Sequence, residues 1–168
     1  CERKVEIKVT TRDAWSLTPR LALNRSGGNS KTGFGVREKN LLGLGVQVEF
    51  KTVKNLDRQG QQLELSTKHL LNTRVQSSVY IENNDDGDVR AFAIGQPFYA
   101  LDTRKSWGLE VSEISEQIGV YQFGERVRDT QRMQAAGALF YGISSGLKAG
   151  RSHRVTFGLL YEDQDVFL

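Results

Sequence analysis

Cysteine, proline, histidine and long apolar runs are all scarce in this 168-residue chain. The single cysteine, Cys1, excludes an internal disulfide framework and any cysteine-based zinc cluster. There are two histidines, His69 and His153, on different predicted strands, and no Gly-x-Ser-x-Gly. No activated nucleophile stands beside an oriented base, so no catalytic residue is expected and the chain does not read as an enzyme. Charge is nearly balanced, with 23 Lys and Arg against 20 Asp and Glu, and no run of five or six basic residues. That dispersal argues against a nucleic-acid partner. No apolar run of 18 residues is present, which excludes a transmembrane helix but not transmembrane strands, whose signal is weaker.

Two stretches imitate binding motifs and fail on inspection. "SGGNSKTG" lacks the Gly-Lys-Ser/Thr ending of a phosphate loop and has no helix after it. "NNDDGD" (Asn83–Asp88) offers calcium-like oxygens but lacks the downstream Glu of an EF-hand loop; an Asp-Gly hairpin turn explains it better. No metal and no cofactor is expected.

What the chain does have is 17 glycines and a period-two alternation that recurs almost end to end. "KVEIKV" sets Val5, Ile7 and Val9 against Glu6 and Lys8. "SLTPRLAL" sets Leu17, Leu21 and Leu23 against Thr18 and Arg20. Val46, Val48 and Phe50 alternate with Gln47, Glu49 and Lys51, and Leu63 and Leu65 with Glu64 and Ser66. Val75, Val79 and Ile81 form another apolar face, as do Trp107, Leu109 and Val111, and Val155, Phe157, Leu159 and Tyr161. "VRAFAIGQPF" and "QRMQAAGALFYGI" are more apolar strands of similar length. "SEISEQIGVYQFGERVRDTQRM" admits a helix, but Glu113, Glu116, Arg126 and Arg128 fit better as the water-exposed ends of two long strands.

The expected fold class is therefore all-β: an antiparallel up-and-down meander of about nine or ten strands forming a partial transmembrane β-barrel. The connections alternate in kind. "SGGNSK", "NLDRQGQ", "NNDDGD" and "QFGERVRD" are polar; "NLLGLG", "LLNTR", "FYALDTRKS" and "SSGLKAGR" are short or partly apolar. Two classes of turn on opposite edges suit such a meander. Trp15, Phe98, Tyr99, Trp107, Tyr161 and Phe167 fall near predicted strand ends, like interfacial aromatic girdles. Against a membrane, His69, Thr67 and Thr52 continue apolar faces. A soluble or surface-attached β-sandwich that binds a protein or glycan shows the same alternation and stays open. A third possibility is a lipoprotein acylated at Cys1.

Three pieces of this sequence are similar to the BamA/TamA outer-membrane assembly-factor family, also called bacterial surface antigens. "VEIKV" (Val5–Val9) resembles the last strand of a POTRA domain. "REKNLLGLG" (Arg37–Gly45) resembles the family's Asn-(aromatic or Leu)-Leu-Gly-x-Gly turn. "GQPFYALDTRKSWG" (Gly95–Gly108) resembles its Pro-Phe-x-x-x-Asp turn. The last two, in that order, are fairly specific together; the final third of the chain matches by pattern only. The resemblance implies that residues 1–14 are a POTRA strand and linker and that 15–168 are the amino-terminal strands of a longer barrel. It makes Asn40, Leu41, Leu42, Gly43, Gly45, Pro97, Phe98 and Asp102 turn residues. It also implies location in a bacterial outer membrane, with lipid, client outer-membrane proteins or accessory subunits as partners. The family's mechanism is exposure of an openable first strand, here Leu17–Arg25, with Leu17, Pro19, Leu21, Leu23 and Arg25 as the candidate gate. The family's sixteen strands, several POTRA domains and inward Arg-Gly loop motif are not all in this sequence, so the chain reads as an internal fragment.

Overall fold

The computed structural model describes residues 8–10, 15–26, 29–54, 58–123 and 125–167. Nine strands follow one another: β1 (Leu17–Ser26), β2 (Asn29–Leu41), β3 (Val46–Lys54), β4 (Gln59–Thr67), β5 (Gln76–Asn84), β6 (Gly87–Gln96), β7 (Lys105–Gln122), β8 (Glu125–Ser144) and β9 (Arg154–Phe167). They form one sheet in sequence order, each antiparallel to the next, with β1 and β9 at its two edges. The molecule is all-β, an up-and-down meander left open as a partial barrel; no second sheet covers either face among the described residues. Among the described residues the one helical element is a single 3-10 turn, Leu70–Asn72.

Register assigns every side chain to a face, because paired residues share one and neighbours along a strand alternate. One row runs Val48–Leu65–Val79–Phe92–Val111 across β3 to β7. The row beside it runs Glu49–Glu64–Tyr80–Ala91–Ser112. We call the first face outer and the second inner. The burial is inverted relative to a water-soluble protein: among the described residues no apolar side chain is buried, while Glu49 is 1% exposed and Ser106 2%. Buried strand residues, including Thr130, lie on the inner face. Nearly every strongly exposed large apolar strand residue lies on the outer one; the inner-face exceptions, Ile118, Leu160 and Val166, sit on β9 or where β7 outruns β6. Side chains converge on the concave side of a coiled sheet, which is why the small and polar face is the buried one. The chain exposes 13405 Å², whereas a compact monomer of 18.9 kDa exposes about 8,300 Å². It has not hidden its apolar surface against itself.

The alternation of connections holds. Residues 42–45, 68–75, 97–104 and 145–153 lie at one edge, the turn rim; Arg58, Asp85, Asp86 and Phe123 lie at the other, the loop rim. β7 and β8 are the two long strands expected over Ser112–Met133, at 18 and 20 residues. Their pairing continues from Gln117 to Gln122 past the last β6 partner, Glu116, as a two-stranded ribbon with a bulge at Val120/Tyr121. The carboxylates and arginines assigned to water-exposed strand ends fall on this ribbon and at its base.

Two expectations are corrected. His69 does not continue the apolar face of β4; it follows the strand and precedes the 3-10 turn, because the chain leaves the ladder at Thr67. Phe98 is not part of an outward girdle. The Pro97–Arg104 segment folds back over the inner side, so the Phe98 ring lies against Gly142, 2.9 Å from where a β-carbon would stand there. The strand expected over Val5–Val9 lies outside the described residues up to Ile7, and Lys8 and Val9 are not in a strand.

Candidate functional site

The candidate gate is the open edge. β1 pairs with β2 in unbroken register from Leu17↔Glu38 to Ser26↔Asn29 and has no other neighbour among the described residues. The ladder passes through Pro19↔Val36 without a bulge, as it does where the missing N–H of a proline faces the free side of an edge strand. Leu17, Pro19, Leu21 and Leu23 share the outer face; Leu21 and Leu23 are 77% and 80% exposed. The side chain of Arg25 lies outside the described residues. On the inner face β1 presents Thr18 and Arg20.

Arg20 reaches over β2. Its Nη1 lies 3.7 Å from Oε1 of Glu49 on β3. Arg37 of β2 donates from Nε to Oε2 of Glu49 at 2.5 Å and pairs with the same oxygen through Nη2. Lys51 Nζ stands 3.5 Å from Oε1. One buried carboxylate thus collects three cations from three consecutive strands and ties the edge strand to the sheet interior. The polar inner face continues across the sheet. Tyr80 donates its hydroxyl to Glu82, which also accepts from Asn84 Nδ2 at 2.8 Å. At the loop rim, Arg58 donates to Asp86 Oδ2 at 2.8 Å and lies 3.7 Å from Glu116, which also pairs with Arg132. The "NNDDGD" oxygens are engaged in this way: Asp85 Oδ1 accepts from the Gln59 N–H at 3.0 Å. No group of three or more metal-ligating side chains occurs among the described residues.

Both turn motifs sit at the turn rim, separated by β4 and β5. In the first, Leu42, Gly43 and Gly45 have φ of 52°, 75° and 68°. Asn40 closes the loop twice: its carbonyl accepts from Gly43 N–H at 3.1 Å and its Oδ1 from Gly45 N–H at 2.7 Å. Leu42 and Leu44 stand 87% and 67% exposed. Asn and Gly are therefore the structural residues here, and the leucines are free to serve another surface.

In the second motif Pro97 ends β6 and the chain reverses through a turn in which Thr103 N–H donates to Ala100 O at 3.2 Å and Thr103 Oγ1 accepts from Ala100 N–H at 3.1 Å. Arg154 of β9 donates to Ala100 O at 2.9 Å and lies 4.7 Å over the Phe98 ring. Arg74, from the β4–β5 connection, stacks 3.9 Å over Tyr99. Asp102 is exposed, and its carbonyl lies near Gly146 of the next connection. The motif is a clip that binds three connections of this rim together. Gly142 makes room for its Phe98 ring, and the Phe140 ring lies on Gly108, where a side chain would collide with it.

With this geometry established, comparison with known proteins adds no name: neither a family model nor a curated protein matches the chain. Sequence reasoning missed Glu49, which alternation marks only as a polar-face residue; its role depends on the register of three strands. It also missed an aromatic row, Trp107–Tyr141–Phe157, outward on β7, β8 and β9 near the turn rim. Of the six aromatics singled out, Trp107 belongs to that row, Tyr161 is outward farther along β9, Phe167 is outward at the far end of β9, Trp15 precedes β1 and is 84% exposed, and Phe98 and Tyr99 belong to the clip.

Proposed function

We propose that this chain is the amino-terminal part of an outer-membrane β-barrel of the BamA/TamA type, and that its open edge β1 templates strands of client outer-membrane proteins. The observation that carries the membrane reading is the slope of the outer apolar band. The row Val36–Phe50–Leu63–Ile81 is apolar from β2 to β5, then turns to Arg90–Glu113 on β6 and β7. The row Glu38–Val48–Leu65–Val79–Phe92–Val111 starts with a charge and becomes apolar. The row Gln96–Trp107–Tyr141–Phe157 is apolar only from β7 onward. The loop-rim margin of the apolar zone thus retreats toward the turn rim, from Leu23 on β1 and Phe34 on β2 to Phe92 on β6, Val111 on β7 and Tyr161 on β9, while at the turn rim Leu41 and Val46 are apolar already on β2 and β3. Strands tilted against a flat hydrocarbon slab require that retreat; a sheet packed face to face on another needs no such stagger. On β7 the outward charges Lys105 and Glu113 bracket Trp107, Leu109 and Val111. At about 3.3 Å per residue and a tilt of about 40°, the bracket is roughly 20 Å high, against about 25 Å for an outer-membrane apolar band. Lysine snorkelling covers the difference.

Two features support the family-level reading. The two turn sequences stand at one rim, and the first strand is a free edge whose chief inner anchor is a single long ion pair. An edge strand offers unpaired N–H and C=O groups to an incoming strand without covalent chemistry. Disulfide trapping tests it. In a Cys1→Ser background, Leu21→Cys or Leu23→Cys should cross-link to a cysteine in the terminal strand of a client during its insertion. Val79→Cys, in the interior strand β5, should not. Equal yields from β1 and β5 would contradict the templating role.

A further inference from the structure

Each connection of the turn rim raises a leucine into the open. Leu42 and Leu44 are joined by Leu71, 89% exposed, Leu101, 59%, and Leu147, 51%. Leu42 and Leu71 do so from left-handed backbone, with φ of 52° and 50°, where a residue with a β-carbon is strained. Hairpin turns ordinarily place glycine or asparagine there, so these leucines are held out at a cost that turn formation itself does not require. The same four connections carry five Lys and Arg and a single acid, Asp102; the adjoining strand ends add Lys39, Lys105 and Arg154 and one acid, Glu38. The sequence between the other strand pairs differs: residues 24–31, 54–60, 83–88 and 121–129 hold six cations and six acids. Among the described residues no ion pair involves Lys39, Lys68, Arg104, Lys105, Lys148 or Arg151. Arg20, Arg37, Lys51, Arg58 and Arg132, by contrast, are paired with carboxylates.

Apolar tips ringed by unpaired cations match one surface by charge and polarity: an anionic phospholipid leaflet. We propose that the turn rim is a docking surface for anionic phospholipid headgroups, the leucines entering the acyl boundary and the lysines and arginines meeting the phosphates. The inference rests on the membrane reading above and adds to it a lipid class and an orientation: the turn rim faces the leaflet that carries anionic phospholipid. Lys105 illustrates the geometry, since it stands outward directly beyond Trp107 at the end of the apolar band. Cationic side chains within a Debye length of such a leaflet each add to binding, and salt removes the effect. The Leu tips contribute through burial, which salt does not remove.

The test compares association and insertion of the full chain into phosphatidylcholine vesicles with and without phosphatidylglycerol. At low salt the phosphatidylglycerol vesicles should take up the chain roughly tenfold or more faster, and high salt should abolish the difference. The combined variant Lys39→Gln, Lys68→Gln, Lys105→Gln and Lys148→Gln should lose the preference yet still enter phosphatidylcholine. Equal uptake by both vesicle types, or a preference that survives in the variant, would overturn the lipid assignment and leave the barrel reading standing. Failure to enter either vesicle or a detergent micelle would overturn both. A dimer in micelles whose four lysines resist acetylation would make a second copy the occupant and would also overturn it.

Discussion

Arginine in place of Val48 or Leu65 keeps the chain out of the bilayer. The two residues are directly paired on the outer face, at the centre of the apolar band on β3 and β4. An outward arginine near the bilayer midplane costs about 2–4 kcal/mol, so each substitution lowers the inserted fraction roughly 30-fold or more. Putting both in place adds repulsion between like charges about 5 Å apart across the strands. The matched control is one residue away: Gln47 and Ser66 are also directly paired, but on the inner face. Gln47→Arg and Ser66→Arg should insert like the parent chain. Protection from external protease in vesicles reads the result. Normal insertion of the outer-face variants would show that the faces have been assigned the wrong way round.

Glu49→Gln is expected to have the next largest effect. The side chain keeps its shape and loses the charge that Arg37, Arg20 and Lys51 share. Breaking a buried ion pair by removing one partner costs about 3–5 kcal/mol. The lower figure applies, because Arg20 and Lys51 side chains are 46% and 37% exposed and regain water. About 3 kcal/mol is on the order of a hundredfold in the folded ratio, measurable as a lowered urea midpoint in detergent micelles. Arg37→Gln combined with Glu49→Gln should recover part of the loss, since it removes the most buried of the stranded cations. Hydrogen exchange adds a readout that a merely local defect would not give. Amides of Leu17–Asn24 should exchange faster in Glu49→Gln, because the ion pair from Arg20 is what binds the edge strand across β2. Unchanged exchange in β1 would mean that the backbone ladder alone holds the gate.

Period-two alternation made the strands readable because apolar and polar side chains take opposite faces over most of the sheet. The polar and partly apolar connections were readable because turn residues declare themselves by backbone need: Asn40, Gly43 and Gly45 do in the structure what their chemistry suggests. What alternation does not contain is register. Glu49 looks like Glu64 in the sequence, yet only Glu49 meets an arginine from each of two earlier strands. The aromatic row Trp107–Tyr141–Phe157 joins residues up to 50 positions apart and appears only once β7, β8 and β9 are aligned. Phe98 was misjudged because a strand-end aromatic looks the same whether the chain continues outward or folds back; Gly142, which admits the fold-back, lies far along the chain on β8. The distal parts of β7 and β8 were readable as two long strands, but not which face they present, because Ile118 and Val127 stand there among polar residues.

The central claim is that the outer face touches hydrocarbon and the inner face touches water. Nitroxide labels placed singly at residues 107 and 109–112 of β7, in phospholipid vesicles, test it most directly. Collision rates with oxygen, which concentrates in hydrocarbon, should peak at 107, 109 and 111; those with a water-soluble nickel chelate should peak at 110 and 112. Labels that show no alternation, or outward labels that are shielded from both probes while the chain stays monomeric without lipid, would contradict it.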